Sequence, residues 1–195
     1  MIFNIDMKIE KISSNILKFS FKDHFGSNVY KIGSTLIDLS SPKNTLELIK
    51  RINETKIKKV IFTHFHHDHI GIPSLFKKAK FYASKEEIDA LKRYPLIATY
   101  SKKADDELKK INLLPIPKVI DNLEVIKTPG HTIGSICLFL KKDGILFSGD
   151  TIFNENLFGR TDLATSVPSK MEESIKKLKK LKIKILCPGH GYTVL

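Results

Sequence analysis

The chain has 195 residues, 42% hydrophobic and 28% charged, which is the balance of a globular protein with its own core and not of a disordered or fibrous chain. No apolar stretch is long enough to span a bilayer, residues 1–6 lack the basic leader of a signal peptide, and two cysteines, Cys137 and Cys187, are too few for a disulfide framework. The net charge of +12 comes almost wholly from Lys spread along the chain, with Arg only at 51, 93 and 160, and no Arg or aromatic cluster accompanies it. The expectation is one cytoplasmic domain over 1–195, with buried thiols, no membrane contact and no nucleic-acid partner.

In chain order, apolar runs at 16–20, 27–32 and 35–39 predict an opening meander, with Gly33-Ser34 as a turn. Ser41 and Pro42 have the chemistry of a helix start, which predicts a helix over 42–52. A strand follows at 60–63, a short helix at 73–78, a strand at 80–83 and a helix over 85–92 capped by Ser84. Residues 93–117, bracketed by Pro95, Pro115 and Pro117, read as an insertion or lid with a helical stretch at 101–111. Strands at 123–126, 135–140 and 144–148 come next, with a hairpin turn at 141–144. A loop over 150–167, a Lys-rich amphipathic helix over 169–181 and a strand at 183–186 complete the chain. Strand clusters with helices in both halves predict an α/β fold, a four-layer αββα sandwich of two sheets with outer helices.

The segment Ile61-Phe62-Thr63-His64-Phe65-His66-His67-Asp68-His69 holds four of the seven histidines at the end of an apolar strand. Imidazoles and carboxylates are ligands for zinc and similar ions, and a strand end is a rigid platform for them. Three further candidates stand at strand ends, each preceded by Gly: His131 in Thr128-Pro129-Gly130-His131, Asp150 in Phe147-Ser148-Gly149-Asp150, and His190 in Cys187-Pro188-Gly189-His190. One Gly-His pair is an ordinary turn. Three such sites downstream of His-x-His-x-Asp-His are not explained as turns.

This motif set resembles the metallo-β-lactamase superfamily, from Asn28-Val29-Tyr30 and Leu36-Ile37-Asp38-Leu39 to Pro188-Gly189-His190-Gly191. The resemblance implies two mixed sheets in that superfamily's fold. It assigns His64, His66 and His131 to one metal ion and Asp68, His69 and His190 to a second. Asp150 would bridge the two, and Asp38 would support the site from behind. His67 falls at a variable position and is expected to be exposed, and His24 lies outside all motifs, a loop or surface residue. Two divalent ions are implied, zinc first, with iron, manganese or nickel also accepted by such a set. A water between two cations would be ionised near neutral pH, with Asp68 orienting it and Asp150 holding the pair. Cys187, near His190, is expected to pack and not to react.

After Asp150, Gly159-Arg160-Thr161-Asp162-Leu163 resembles the glyoxalase II group, the hydroxyacylglutathione hydrolases. There an equivalent basic residue helps bind an anionic thiol-derived substrate, so Arg160 becomes a candidate substrate residue, as does Tyr192, two residues past His190. A surface ion pair for Arg160 and packing beneath the C-terminus for Tyr192 are the structural alternatives. Glyoxalase II proper continues into a helical domain that supplies much of its glutathione site. This sequence stops at Leu195, so the expectation is a glyoxalase II-like hydrolase of a thioester or small acyl substrate, without that domain. Two alternatives remain within the superfamily. One is a mononuclear iron persulfide dioxygenase, which also carries Gly-Arg-Thr-Asp. The other is a nuclease or RNA-processing metallohydrolase, a branch that usually carries inserted domains. Oligomeric state is not encoded in any motif.

Overall fold

Alternation of apolar side chains along the strands sorts this sequence into layers. The structure, a computed structural model, describes residues 7–22, 26–154 and 157–194. His24 and Leu195 lie outside the described residues, as do residues 1–6. A first sheet has the order β1 (Met7–Ser13), β2 (Ile16–Phe21), β3 (Val29–Ile32), β4 (Thr35–Ile37), β5 (Lys59–Ile61), β6 (Lys80–Ala83), β7 (Leu113–Pro115). Its first four strands are an antiparallel meander, and β4 to β7 run parallel. A second sheet has the order β12 (Ile185–Pro188), β11 (Ile145–Gly149), β10 (Ile136–Leu140), β9 (Leu123–Lys127), β8 (Val119–Ile120). Here only β11 and β12 are parallel neighbours, so both sheets are mixed. The expected αββα sandwich is therefore the fold found.

Three apolar clusters mark the three interfaces between four layers. In β5 and the residue after it, Val60 and Phe62 point to one side and Ile61 to the other. Val60 and Phe62 join Leu48 of α1 (Pro42–Ile49), Ile88 of α3 (Lys85–Arg93), and Ala104 and Leu108 of α5 (Lys102–Leu108). Ile61 packs between the sheets with Tyr30, Ile37, Leu138 and Phe147, where the Tyr30 and Phe147 rings meet edge-on at 5.1 Å. Cys137, Phe139 and Leu146, the alternate positions of β10 and β11, pack under Leu178 of α6 (Pro168–Lys179). Period-two alternation in a strand buried on both faces thus feeds two cores at once.

Ser41 and Ser84 cap α1 and α3 as expected, each accepting a backbone N–H from three residues on. The first helix stops at Ile49, short of the expected 52. Residues 93–117 are the main correction. The helical stretch is found as α5, which packs on the first sheet, with α4 (Pro95–Thr99) set against α3 and α5, but the segment is built into the fold, since β7 extends that sheet by pairing parallel to β6. The prolines sit at a helix N-terminus and a strand end, where a missing N–H costs nothing. Strand β1 was not expected; it is an edge strand rich in Lys with Ile9 exposed, so its alternation is weak. No helix of the described residues is long and apolar enough to cross a membrane.

Strands β4 and β5 run parallel in the first sheet, and β9, β11 and β12 run in one direction in the second. The residues that follow their carboxyl ends come together, so those ends share one edge of the sandwich. Asp38, the 64–69 segment, His131, Asp150 and His190 all follow those ends.

Candidate metal centre

Two groups of ligand atoms meet at that edge. His64, His66 and His131 offer three nitrogens within 4.8 Å of one another, and so do Asp68, His69 and His190 with one oxygen and two nitrogens. Asp150 groups with His64 and His69 by the same measure. Its Oδ1 is 3.3 Å from His69 Nε2, and its Oδ2 is 3.6 Å from His131 Nε2 and 3.5 Å from His190 Nε2. The carboxylate thus stands between the two groups. Asp68 and His69 lie in the one-turn helix α2 (His67–Ile70), which turns both towards the site. His67, in the same turn, is half-exposed and belongs to neither group.

Four of the five imidazoles are fixed through their other nitrogen. His64 Nδ1 is 3.1 Å from the Thr63 hydroxyl, and His66 Nε2 is 3.0 Å from that of Thr165. His131 Nδ1 is 2.8 Å from the Arg160 carbonyl, and His69 Nδ1 is 2.9 Å from Asp38 Oδ2. Asp38 also accepts the Thr63 N–H and hydroxyl, both at 2.8 Å, so one buried carboxylate ties two ligand-bearing stretches. Such partners orient a ring and decide which nitrogen is free to bind an ion. The His190 turn is pinned from β2 and β3: Lys18 Nζ and Asn28 Nδ2 donate to the Gly191 carbonyl, while Tyr30 Oη and Asn28 Nδ2 donate to that of Pro188. Gly189 has no room for a side chain, since a Cβ there would lie 2.2 Å from Asp150 Oδ1.

Burial pushes the imidazoles of His64 and His131 down and that of His66 to about 3, so all three are neutral at pH 7. Burial alone would raise the carboxylates, but the charge of His69 and the contacts of His190 outweigh it, taking Asp68 to about 2 and Asp150 well down. Burial would lower His69 and His190; Asp150 and Asp68 overcome it, raising His69 and bringing His190 to about 9. A cation in this place would find neutral nitrogens at His64, His66 and His131 and ionised oxygens at Asp68 and Asp150, and would take the place of the protons that those carboxylates hold on His69 and His190. The fit has a further sign: His64 Nε2 and Asp150 Oδ1 are buried without a hydrogen-bond partner. Buried polar atoms are rarely left so, and a bound ion would satisfy both.

Arg160 lies at the site by its carbonyl, while its exposed guanidinium pairs bidentately with Asp162 at 2.8 and 2.9 Å. Tyr192 is 85% exposed and does not pack beneath the C-terminus. Other exposed apolar side chains are Ile133, two residues past His131, and Leu157 and Phe158 in the loop that follows Asp150. Tyr100, partly exposed and in the left-handed region (φ 54), sets its ring edge-on to His66 at 5.4 Å. Burial raises the thiols of Cys137 and Cys187 to about 11 and about 12, which makes neither a nucleophile. Sequence reasoning missed Thr63, Thr165, Lys18 and Tyr100, none of which has ligand chemistry or a motif of its own, and Asn28 and Tyr30 entered it only as part of the family pattern, without a role.

The profile of the Metallo-beta-lactamase superfamily matches residues 23–190. The hydroxyacylglutathione hydrolase of Bartonella quintana (strain Toulouse) is 31% identical over 182 residues, which are 88% of this chain and 64% of that protein. The hydroxyacylglutathione hydrolases it matches are thus spanned over 64% of their length. Among solved structures, TTHA1623 in a di-iron-bound form is similar with a TM-score of 0.70 at 21% identity, covering 88% of this chain and 91% of that one. The metallo-beta-lactamase FIM-1 from Pseudomonas aeruginosa, in its mono-zinc form, gives 0.72 at 18% identity over 96% and 89%. These two likenesses establish the fold.

Proposed function

The chain belongs to the metallo-β-lactamase superfamily, and on that basis we propose that it is a metal-dependent hydrolase of a thioester or related small acyl substrate. The observation that carries this reading is the place of Asp150, whose two oxygens face His69 on one side and His131 and His190 on the other. In this reading His64, His66 and His131 hold one ion, Asp68, His69 and His190 hold the second, and Asp150 serves both. When bound, the two ions bring the ionisation of water towards neutral pH and take up negative charge on the attacked carbonyl oxygen. Zinc is the first choice. The di-iron and mono-zinc relatives support a site of this kind accepting either metal.

The chain's own residues do the rest. Asp68, ionised at any physiological pH, orients the attacking water. Thr63, Thr165, Asp38 and the Arg160 carbonyl keep the imidazoles aimed, so little reorganisation accompanies the reaction. Arg160 and Tyr192 are the substrate residues of this proposal. The Arg160–Asp162 pair is exposed, and solvent screens such pairs so that they contribute little, which lets an anionic substrate exchange for Asp162 at small cost. The exposed Ile133, Phe158 and Tyr100 support an apolar acyl or thiol moiety beside it. The distant likeness to hydroxyacylglutathione hydrolases supports the thioester class.

The test is hydrolysis of S-lactoylglutathione and of simple acyl thioesters by the protein before and after chelation and reloading with Zn2+. Hydrolysis lost on chelation and regained with Zn2+ is expected. A fully loaded protein that cleaves no thioester would remove the substrate class. The iron persulfide dioxygenase reading uses the same residues and would show as oxygen consumption with iron in place of hydrolysis.

A further inference from the structure

Glu87 is 2% exposed, and no cation pairs with its carboxylate among the described residues. It sits three residues into α3, whose cap is Ser84; the Ser84 Oγ accepts the Glu87 N–H at 3.1 Å. In a Ser-x-x-Glu start the Glu side chain ordinarily turns back to the N–H of the capping Ser. Here it turns away. Its Oε2 accepts the Phe65 N–H at 2.9 Å, and its Oε1 accepts the Thr132 hydroxyl at 2.6 Å and the Gly134 N–H at 3.0 Å. Ser84 Oγ adds a bond to the Gly134 carbonyl at 2.6 Å. Gly134 permits this approach, because a Cβ there would lie 2.5 Å from both the Glu87 nitrogen and Ser84 Oγ.

Phe65 stands between His64 and His66, and Thr132 follows His131. One buried carboxylate therefore joins the two loops, from different sheets, that carry the three nitrogens of one ligand group. The other group has further anchors, of which Asp38 also holds Thr63 ahead of His64. Asp38 holds His69, backbone bonds from Ser27 and Leu39 reach Asp68 and His69, and Asn28, Tyr30 and Lys18 hold the His190 turn. Burial raises the Glu87 carboxyl, and the three donors on its oxygens, from Thr132, Phe65 and Gly134, work against that. A doubly charged ion bound nearby gives it an opposite charge in a medium of low dielectric.

We propose that Glu87 is a positioning residue that sets His64 and His66 against His131 and thereby governs the affinity of that ion site alone. This rests on the assignment of ligands under Proposed function. The experiment is Zn2+ titration of the metal-free protein by calorimetry, in two backgrounds. His190→Ala keeps the His64, His66 and His131 group; His131→Ala keeps the Asp68, His69 and His190 group. Adding Glu87→Gln should weaken Zn2+ binding about 10- to 100-fold in the first background, the usual effect of losing a residue that orients ligands, and leave the second unchanged. Equal losses in both backgrounds, or no loss in the first, would overturn it. A general structural role would produce the equal loss. Should Glu87→Gln fail to fold by circular dichroism, Thr132→Val decides by the same comparison, since it removes one donor and keeps the charge. If the unsubstituted chain binds no Zn2+, the metal reading itself falls, and this inference with it.

Discussion

His66 and His131 are 65 positions apart in the chain and follow strands of different sheets, yet His66 Nδ1 and His131 Nε2 stand 2.9 Å apart. Both rings are neutral at pH 7, and each uses its other nitrogen elsewhere. Two lone pairs that close need a proton or a cation to share. The distance is set by structure behind the rings, and the predictions address that structure as much as the ligands.

Asp38 touches both a ligand ring and the segment leading to two others. Asp38→Asn keeps the shape but offers His69 an uncharged partner. Metal affinity should fall about 10- to 100-fold, measured by competition with a chromophoric chelator. Unchanged affinity would mean that Asp38 serves the backbone turn only.

Gly189→Ala tests how closely the Asp150 and His190 loops are fitted. The added Cβ would lie 2.2 Å from Asp150 Oδ1 and 2.9 Å from His69 Cε1. No relief is available without moving a ligand, so the purified variant should lose metal by elemental analysis while its far-UV circular dichroism stays that of the parent.

Tyr100 sets its ring edge-on to His66 and is partly exposed to solvent. If it forms part of the substrate wall, Tyr100→Ala should raise KM for an apolar thioester with kcat and metal content little changed. An aromatic contact of about 0.5–1.5 kcal/mol corresponds to a KM increase of roughly two- to tenfold. A fall in kcat alone would place Tyr100 with the ligand support instead.

The two thiols give a pH prediction. An acid whose folded pKa is raised keeps its proton until the pH approaches that raised value. With Cys137 at about 11 and Cys187 at about 12, neither should react with iodoacetamide in the native protein at any pH up to about 9, and both should react on unfolding. Measurable alkylation of native protein at pH 8, read by mass spectrometry, would contradict the burial described for them.

What could be read from the sequence follows from physical visibility. The seven ligand candidates carry chemistry that few other roles need, and they come after apolar strands, such as 59–61 and 145–149. Sequence therefore located them, the αββα layering and most helices. Residues 93–117 were misread because prolines at Pro95 and Pro115 look like loop signals, although both lie where a strand or helix tolerates them. The residues behind the ligands were silent for another reason. Glu87 looks like an ordinary helix-start residue and Thr132 like a turn residue, and only the fold brings them together. The substrate side remains least legible, because Arg160 and Tyr192 are exposed side chains whose contacts depend on what binds.

The most direct test of the central claim joins metal content to reaction type in one preparation: elemental analysis of the purified protein, with thioester hydrolysis and oxygen uptake measured on the same sample. Two ions per chain, with thioester hydrolysis that disappears in Asp150→Ala along with metal retention, is the predicted result. One iron per chain with oxygen consumption and no hydrolysis, or full hydrolysis by Asp150→Ala, would contradict it.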